Sequence, residues 1–391
     1  MATEWKKVRL GEICDYVTSG GTPLASRNDY YNPPVIPWLK TKEVNYSRIT
    51  KTENFISQKG LDNSSAKLIP ENSVIIAMYG QGDTAGRVAI NKIPLTTNQA
   101  CCNFIIDKEK ADYNFIYYQL CTLYDKMVSL KSGGAQPNLN AGKLKELEIS
   151  LPSLKTQQKI AEILSAYDDL IENNLKQIKL LEEASQKLYK EWFVKLNFPD
   201  HENVKIVDGV PEGWKKEKLI NLVDVQYGYA FDGSKFNSEG NGKPIIRIRN
   251  IPQGTTDDFT TEQTTDDYIV HNGDIVVGMD GEFHINTWNQ NDAYLVQRVC
   301  SFRPHNENIK GYILQAIYAP IKFFENTVVG ATVAHLGKKH IDTIEVLTCN
   351  EEFYIPFQNM VRKRQTLLNQ IQLLQSARDE LLPKLMNGEY V

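Results

Sequence analysis

Residues 154–193 read LKTQQKIAEILSAYDDLIENNLKQIKLLEEASQKLYKEWF and contain neither Gly nor Pro. Apolar side chains recur along them at intervals of three, four or seven residues, at Ile160, Leu164, Tyr167, Ile171, Ile178, Leu181, Leu188 and Trp192. This spacing places the side chains on one face of a helix. The stretch therefore predicts a single helix of about forty residues, which would be roughly 60 Å long.

Residues 357–386 repeat this pattern, with apolar positions at Met360, Val361, Leu367, Leu368, Ile371, Leu374, Leu381, Leu382 and Leu385. Pro383 is expected to kink or end the second helix. A stripe of this length exceeds what one small domain can cover, so the two helices are predicted to pair as an antiparallel coiled coil that acts as a spacer. Asn174 falls on the first stripe, where it either fixes the register of the pair or faces solvent at the edge of the stripe.

The sequence on either side of the first helix is duplicated at a period of about 200 residues. Six collinear pairs of segments carry the duplication: 5–10 with 214–219, 17–20 with 225–228, 37–44 with 244–251, 72–76 with 272–276, 99–102 with 297–300, and 144–149 with 341–346. Each copy alternates short Val, Ile, Tyr and Phe-rich runs with Gly, Pro and Asn turns, which predicts a strand-rich domain. A helix is expected within each, over residues 112–131 and over residues 309–326, the latter interrupted by Pro320.

These patterns predict a mixed α+β fold with an internal pseudo-twofold repeat. The expected divisions are a first strand-rich domain over 1–152, a central helix over 153–198, a second strand-rich domain over 199–352 and a C-terminal helix over 353–391. The copies differ strongly between their shared landmarks, which indicates one scaffold that carries two different working surfaces.

The composition describes a globular protein, with 41% hydrophobic and 24% charged residues. No apolar run approaches the length needed to cross a bilayer, and the start of the chain has no signal-peptide pattern, so a cytoplasmic location is expected. The six cysteines form no C-x-x-C pair, which favours buried thiols over a disulfide or zinc site. A net charge of −4 does not by itself favour nucleic acid, but a basic face can coexist with acidic surfaces elsewhere.

Two apparent enzyme motifs fail on inspection. Residues 32–35 read NPPV and resemble the Asn-Pro-Pro-aromatic signature of amino-methylating enzymes, but Val35 cannot stack on a flipped base. Residues 80–85 read GQGDTA and match a dinucleotide-binding fingerprint, but a strand-like run follows where a phosphate-binding helix is required. No Walker A, H-E-x-x-H or G-x-S-x-G sequence occurs. The chain is therefore predicted to bind without a catalytic centre of its own.

The candidate binding residues come from positions that the two copies share. If residues 37–44 and 244–251 are strands, Lys40 and Lys42 project to one face, and Arg247 and Arg249 project from the equivalent positions. Basic pairs in register favour a common anionic ligand such as DNA, whereas solvated strand charges are the alternative. The Gly-containing loops that follow are candidate base readers or ordinary polar turns. The expected DNA contacts are Lys40, Lys42, Gln81, Thr84, Arg87, Arg247, Arg249, His284, Asn286 and Arg298.

A resemblance to a known family extends over the whole chain. The segment 36–41 (IPWLKT), the helix entry 151–164 (LPSLKTQQKIAEIL), the segment 295–304 (LVQRVCSFRP) and the ending 381–389 (LLPKLMNGE) resemble the specificity subunits of type I restriction-modification systems. The second helix is entered through 347–352 (LTCNEE), without the proline of the first entry. The resemblance implies that the two strand-rich domains are target recognition domains.

The same resemblance implies a multisubunit assembly. Each target recognition domain would read one half of a bipartite, asymmetric site in double-stranded DNA, while the helices would set the gap and dock two methyltransferase subunits. Motor-nuclease restriction subunits would complete the complex. S-adenosylmethionine, ATP and Mg would be bound by the partners, and no cofactor by this chain. The alternatives are a standalone two-headed DNA-binding protein and a self-contained DNA methyltransferase, which would require a cofactor fingerprint that the sequence lacks.

Overall fold

The computed structural model describes residues 5–131, 138–327 and 334–389. The chain divides into two compact units. Unit 1 comprises Met1–Leu170 and Leu374–Val391, and unit 2 comprises Ile171–Leu373. Each unit contains one strand-rich domain and parts of both long helices. None of the helices in the described ranges is long and apolar enough to span a membrane.

The first domain lies in unit 1 and begins and ends with strands that pair with each other. In the described part, its strands are β1 (Lys6–Arg9), β2 (Cys14–Ser19), β3 (Ile36–Leu39), β4 (Ser47–Ile49), β5 (Asn54–Ile56), β6 (Leu68–Ile69), β7 (Val74–Ala77), β8 (Val88–Asn91), β9 (Leu95–Thr97), β10 (Cys101–Ile106) and β11 (Glu148–Leu151). Its helices are α1 (Gln58–Asp62), α2 (Tyr113–Cys121), α3 (Tyr124–Ser129) and α4 (Ala141–Lys145). The strands form sheets in the orders β2-β10-β7-β8-β4, β5-β3-β9-β6 and β1-β11.

The first long helix, α5 (Leu154–Tyr189), begins after the proline entry and continues into a short π-helical turn at Lys190–Val194. The predicted helix over 154–193 is therefore confirmed as a continuous helical segment. The second long helix, α9 (Ile355–Met386), contains Pro383 and ends three residues after it.

The second domain lies in unit 2 and repeats much of this order of elements, after two additional strands at its start. In the described part, its strands are β12 (Ile206–Val207), β13 (Val210–Pro211), β14 (Lys215–Lys218), β15 (Val223–Tyr227), β16 (Phe236–Asn237), β17 (Lys243–Ile246), β18 (Phe259–Thr260), β19 (Ile269–Val270), β20 (Ile275–Gly278), β21 (Ile285–Thr287), β22 (Ala293–Leu295), β23 (Val299–Pro304) and β24 (Glu345–Thr348). Its helices are α6 (Lys310–Ala316), α7 (Tyr318–Thr327) and α8 (Lys338–Ile341). The sheets run β15-β23-β20-β21, β16-β18-β17-β22-β19, β14-β24 and β12-β13.

The two domains share strand register residue by residue, which confirms the internal repeat. In the first domain Phe104 of β10 pairs with Val17 of β2 and Val74 of β7. In the second domain Phe302 of β23 pairs with Val225 of β15 and Ile275 of β20, so strand pairing matches Val74 with Ile275 and not with Asp274, its partner in the aligned segments 72–76 and 272–276. Because a slip of one residue would turn every side chain to the opposite face, this agreement means that both domains use the same inward-facing positions.

The central strands are buried on both faces, as their continuous apolar runs predict. Alternate side chains of β7 and β10 enter different cores: Val74 and Phe104 join one cluster, while Ile75 and Cys101 join another. The first cluster continues onto both long helices through side chains of α5 and α9, which are Ile160, Ala161, Leu164, Leu385 and Met386. Each domain is thus held to the helices by shared apolar packing rather than by a single hydrogen bond.

The long helices pair antiparallel within each unit. In unit 2 Asn174 donates to Gln370 at 3.3 Å, and Glu182 accepts from Arg364 at 2.7 Å. Residue numbers therefore fall along α9 as they rise along α5, which confirms the predicted direction. Asn174 is buried. Of the two alternatives for Asn174, the structure supports a residue inside the helix pair rather than one that faces solvent.

The helices expected over 112–131 and 309–326 are each divided in two. The break between α2 and α3 falls at Thr122 and Leu123, and the break between α6 and α7 falls at Ile317. Pro320 lies in the first turn of α7, where a missing N–H costs little. In a continuous helix Pro320 could not donate to the Ala316 carbonyl, where α6 ends, so the break agrees with the expected interruption; the first domain breaks at the corresponding place without a proline.

Candidate nucleic-acid interface

The predicted basic pairs occupy a turn rather than a strand. Strand β3 ends at Leu39, and the next residues, Thr41–Glu43, form a single 3-10 turn. The second domain does the same, because β17 ends at Ile246 and a 3-10 turn follows over Ile248–Asn250. The expectation that the cations alternate along a strand was wrong. A local carboxyl or amide captures the backbone at this point and ends the strand: Lys40 N–H donates to Glu43 at 3.0 Å, and Arg247 N–H donates to Asn250 at 2.8 Å.

The two members of each pair have different surroundings. Lys42 forms an ion pair with Glu53, and Arg249 forms one with Asp258. The Glu53 carboxylate raises the pKa of Lys42 above its ordinary value. The cations at the other position rest over aromatic rings: Lys40 Nζ is 4.9 Å from the Trp38 ring centre, and the Arg247 guanidinium carbon lies 5.5 Å from that of Phe236.

No carboxylate among the described residues forms a salt bridge with Lys40 or Arg247. An aromatic ring attracts a cation without cancelling its charge. Lys40 and Arg247 therefore keep their positive potential available to a phosphate more fully than Lys42 and Arg249, whose neighbouring carboxylates repel an anion. The basic pairs are equivalent in the two domains, as predicted, but the DNA contacts assigned to them remain a prediction.

The loop between β7 and β8 carries the other three candidates of the first domain, which are Gln81, Thr84 and Arg87. Thr84 Oγ1 donates to the Gln81 carbonyl at 2.6 Å, so its hydroxyl stabilises the turn itself. Arg87 donates to Asp83 at 2.6 Å and to Asn45 at 2.9 Å, and its contact with Asp83 lowers the pKa of that carboxyl. Gln81 is exposed at the tip. No helix follows the loop before β8, in agreement with the rejection of a dinucleotide-binding motif.

Asn286 is a structural residue. Its Nδ2 donates to the carbonyls of Ile251 and Pro252 at 2.9 and 3.1 Å, and its Oδ1 accepts from Arg364 at 2.8 Å. These bonds occupy the donors and the acceptor with which an Asn would recognise a base. The hydrogen bonds favour a structural role for Asn286, and its assignment as a base reader stays a prediction. His284, two residues earlier, is partly exposed, with Nε2 3.6 Å from a Glu282 carboxylate oxygen.

Arg298 belongs to a cluster that the sequence did not predict. One carboxylate, that of Asp280, faces two donors: Nδ1 of His335 is 2.5 Å from Oδ1, and Nη1 of Arg298 is 3.4 Å from Oδ2. The Arg298 and His335 side chains are 55% and 45% exposed, whereas that of Asp280 is 28% exposed. The carboxylate is thus the inner member, and both donors reach toward solvent.

Three separate segments meet to form this cluster. Met279 N–H donates to the Arg298 carbonyl at 2.9 Å, Leu336 N–H donates to the Met279 carbonyl at 2.7 Å, and Gly281 N–H donates to the Ala334 carbonyl at 3.0 Å. The only signal in the sequence was the alignment of the Gly-containing loops in the two copies. That alignment placed residue 280 in a divergent loop, but it gave no indication that residue 335 lies beside it.

The comparisons with known proteins agree with the repeated domain architecture. The type I restriction modification DNA specificity domain matches residues 2–183 and again residues 211–348. The specificity subunit of the type I restriction enzyme MjaIX from Methanocaldococcus jannaschii is 28% identical, over 99% of this chain and 93% of that protein. The Escherichia coli EcoR124I/EcoR124II specificity subunit is 30% identical over 51% of this chain and 50% of that protein.

A solved structure supports the fold. The S subunit of a type I restriction-modification system from M. genitalium superposes with a TM-score of 0.61 over 97% of this chain and 96% of that one, at 17% identity. The two matches of the family model coincide with the two copies that share strand register. The chain therefore belongs to the type I restriction-modification specificity subunits, the DNA-recognition components of these systems, which have no catalytic activity of their own.

Proposed function

We propose that this chain selects a bipartite site in double-stranded DNA, with each strand-rich domain reading one half. The observation that carries the proposal is the pair of domains with identical strand register and different side chains at matching loop positions. A common scaffold with divergent loops is suited to two different sequences of bases, because the scaffold sets the approach to DNA and the loops set the contacts.

The cations at the shared turn support a common approach. Lys40 and Arg247 occupy the same position after β3 and β17, and each lies over an aromatic ring. Phosphate contacts of this kind orient a protein on the duplex without reading bases. The contacts to bases would then come from the divergent loops that follow β7 and β20.

The helices α5 and α9 would set the gap between the half-sites and dock two methyltransferase subunits, with motor-nuclease restriction subunits completing the complex. Their antiparallel pairing supports this role, because packing of the two apolar stripes against each other holds each long helix straight and so fixes the distance along it. The partners would bind S-adenosylmethionine, ATP and Mg and would carry out all the chemistry.

The first experiment is long-read mapping of adenine methylation in the source genome, with this gene intact and deleted. Loss of one split motif on deletion is the expected result, and it identifies both half-sites. An unchanged methylome, with the methyltransferase subunits expressed, would contradict the proposal and favour a standalone DNA-binding protein.

A second experiment tests the spacer. Insertion of about seven residues after Gln177, with a matching insertion after Leu367 in α9, adds two helical turns and preserves the apolar stripe. The added length is about 10 Å, or roughly three base pairs. We expect the gap to lengthen by about that amount while the half-sites stay the same. The same insertion in α5 alone is the control, because it breaks the pairing and should abolish methylation. A change in the half-site bases would contradict separate reading and spacing parts.

A further inference from the structure

We propose that Arg298 reads a guanine in the half-site of the second domain, and that Asp280 is the positioning residue that holds both Arg298 and His335 for this purpose. This inference rests on the proposed function, since it assumes that the second domain contacts DNA. The inference goes beyond the proposed function because it names a base, the residue that recognises this base and the residue that orients the recognising side chain.

The charges of the cluster favour this assignment. Asp280 offers one carboxylate oxygen to each donor, His335 at 2.5 Å and Arg298 at 3.4 Å. Because Nη1 is the Arg298 atom nearest to Asp280, the guanidinium has other N–H groups that can face a ligand. The side chain is more than half exposed, so those donors are accessible.

The tautomer of His335 follows from the same geometry. Its Nδ1 must carry a proton to donate to Asp280, so Nδ1 cannot accept from Arg298, although the two nitrogens are only 3.3 Å apart. Both donors therefore converge on the carboxylate instead of on each other. Asp280 fixes the orientation of the imidazole as well as that of the guanidinium, which leaves Nε2 of His335 as the ring atom available for a second contact.

The backbone at Arg298 is strained, which is the second observation. Its φ is 71°, a left-handed value that residues with a Cβ rarely adopt. Such outliers persist where the surroundings hold them, and they concentrate at binding sites. Here the Arg298 carbonyl accepts from Met279 N–H at 2.9 Å, and Val299 N–H donates to the Val296 carbonyl at 3.2 Å. The strained conformation is thus held on both sides of the residue.

The first domain has the same backbone frame with different side chains. Met78 N–H donates to the Ala100 carbonyl at 2.7 Å, and Leu139 N–H donates to the Met78 carbonyl at 3.0 Å. These bonds match those of Met279, Arg298 and Leu336. The side chains presented by the frame are Tyr79, Ala100 and Asn138 in the first domain, and Asp280, Arg298 and His335 in the second.

A conserved frame with exchanged side chains is the arrangement expected where two copies of one scaffold recognise different sequences. A residue needed only for packing would keep its apolar character, as Met78 and Met279 do, both of them buried. Arginine pairs best with guanine, because its fork of donors matches the two acceptors, O6 and N7, that guanine presents in the major groove. A good bidentate contact of this kind discriminates against other bases by roughly 5- to 150-fold.

The test uses the complete methyltransferase complex assembled with this chain and a DNA library in which the second half-site is randomised. We expect the wild-type complex to require guanine at one position and R298A to lose that requirement by at least about 5-fold. The other positions and the first half-site should keep their preferences. D280N should relax the same position partially, because the arginine remains but is no longer held.

Two further variants separate reading from other roles. R298K keeps the positive charge and loses the fork, so it should lose the guanine preference while the salt dependence of binding stays the same. K218A, which removes an exposed cation from β14 of the same domain, is the matched control and should leave every preference unchanged. Thermal unfolding of each variant shows whether the domain still folds.

Three outcomes would overturn the inference. R298A and R298K could leave the guanine preference intact. R298A could weaken binding equally across all sequences and lower the salt slope by about one, which indicates a phosphate contact. The wild-type complex could also recognise no two-part motif, in which case the proposed function fails and this inference fails with it. The first two outcomes leave the proposed function in place.

Discussion

Asp168 and Arg378 join the two long helices inside unit 1, and replacement of Arg378 with Ala should destabilise this unit strongly. Arg378 Nη1 lies 2.6 Å from Asp168 Oδ1, while the Tyr118 hydroxyl donates to the other carboxylate oxygen at 2.5 Å. The Asp168 side chain is only 9% exposed and that of Arg378 is 24% exposed. Burial alone would lower the pKa of Arg378, but its contacts with Asp168 and Asp379 raise it above the ordinary value, so the guanidinium remains charged.

The expected magnitude follows from what R378A leaves behind. The Asp168 carboxylate would stay buried with Tyr118 as its remaining hydrogen-bond donor. Removing one partner of a buried ion pair costs about 3–5 kcal/mol, and the partial exposure of Arg378 places the expected value near 3 kcal/mol. For a unit of this size, a loss of about 3 kcal/mol corresponds to a fall in melting temperature of roughly 6–12 °C.

The assay is a double-mutant cycle of D168N, R378A and the double variant, measured by urea and thermal unfolding. R9A is the matched control, because Arg9 pairs with Glu146 at 2.8 Å in the same unit while both side chains are more than half exposed. The control should cost less than about 1 kcal/mol. If R378A costs no more than R9A, or if the cycle gives a coupling energy near zero, the reasoning that this pair joins the helices is refuted.

Three other perturbations have defined outcomes. G228A should destabilise the second domain by about 3 kcal/mol or prevent it from folding, because the added Cβ would lie 2.1 Å from the Val296 carbonyl oxygen. The control variant G233A, with open space around its Cβ, should leave the melting temperature nearly unchanged. R364A should destabilise unit 2 by about 2 kcal/mol or more, since Arg364 donates to three side chains at 2.6–2.8 Å. Faster hydrogen exchange confined to β21 and the facing helices would support this expectation, and unchanged exchange would contradict it. Burial raises the pKa of Cys349 to about 11 from 9.0, so the folded state holds this proton more tightly than the unfolded state does. Its contribution to stability is complete below pH 9 and is lost as the pH rises toward 11. Urea midpoints at pH 8 and 10 should therefore fall less in C349S than in the wild type, and an equal fall in both would exclude this thiol as a cause.

The two long helices and the central strands could be predicted because each depends on a local pattern, and the duplication could be predicted because short segments recur in the same order. An apolar stripe without Gly or Pro predicts α5 wherever it packs, and a continuous apolar run predicts buried strands such as β7 and β10. Collinear landmarks predicted equivalent positions, and the shared register of Phe104 and Phe302 confirmed the repeat, although it matches Val74 with Ile275, one residue away from the predicted Asp274.

The positions of functional side chains depend on contacts between distant segments, and the sequence alone did not determine them. Lys40 leaves the strand because Glu43 captures its backbone, a competition between local hydrogen bonds that periodicity does not detect. The Asn286 amide oxygen accepts from Arg364, which lies 78 residues further along the chain, and no local pattern predicts such a contact.

The cluster of Asp280, Arg298 and His335 illustrates the same limit. The sequence by itself determined that two copies of one scaffold are joined by long helices, because hydrophobic periodicity and repetition are properties of the chain. Only the tertiary structure brought these three side chains, from three segments, onto one carboxylate. The physical reason is that burial and strand pairing decide which loops lie next to each other. Contacts between such loops produce no hydrophobic periodicity in the sequence from which they could be predicted.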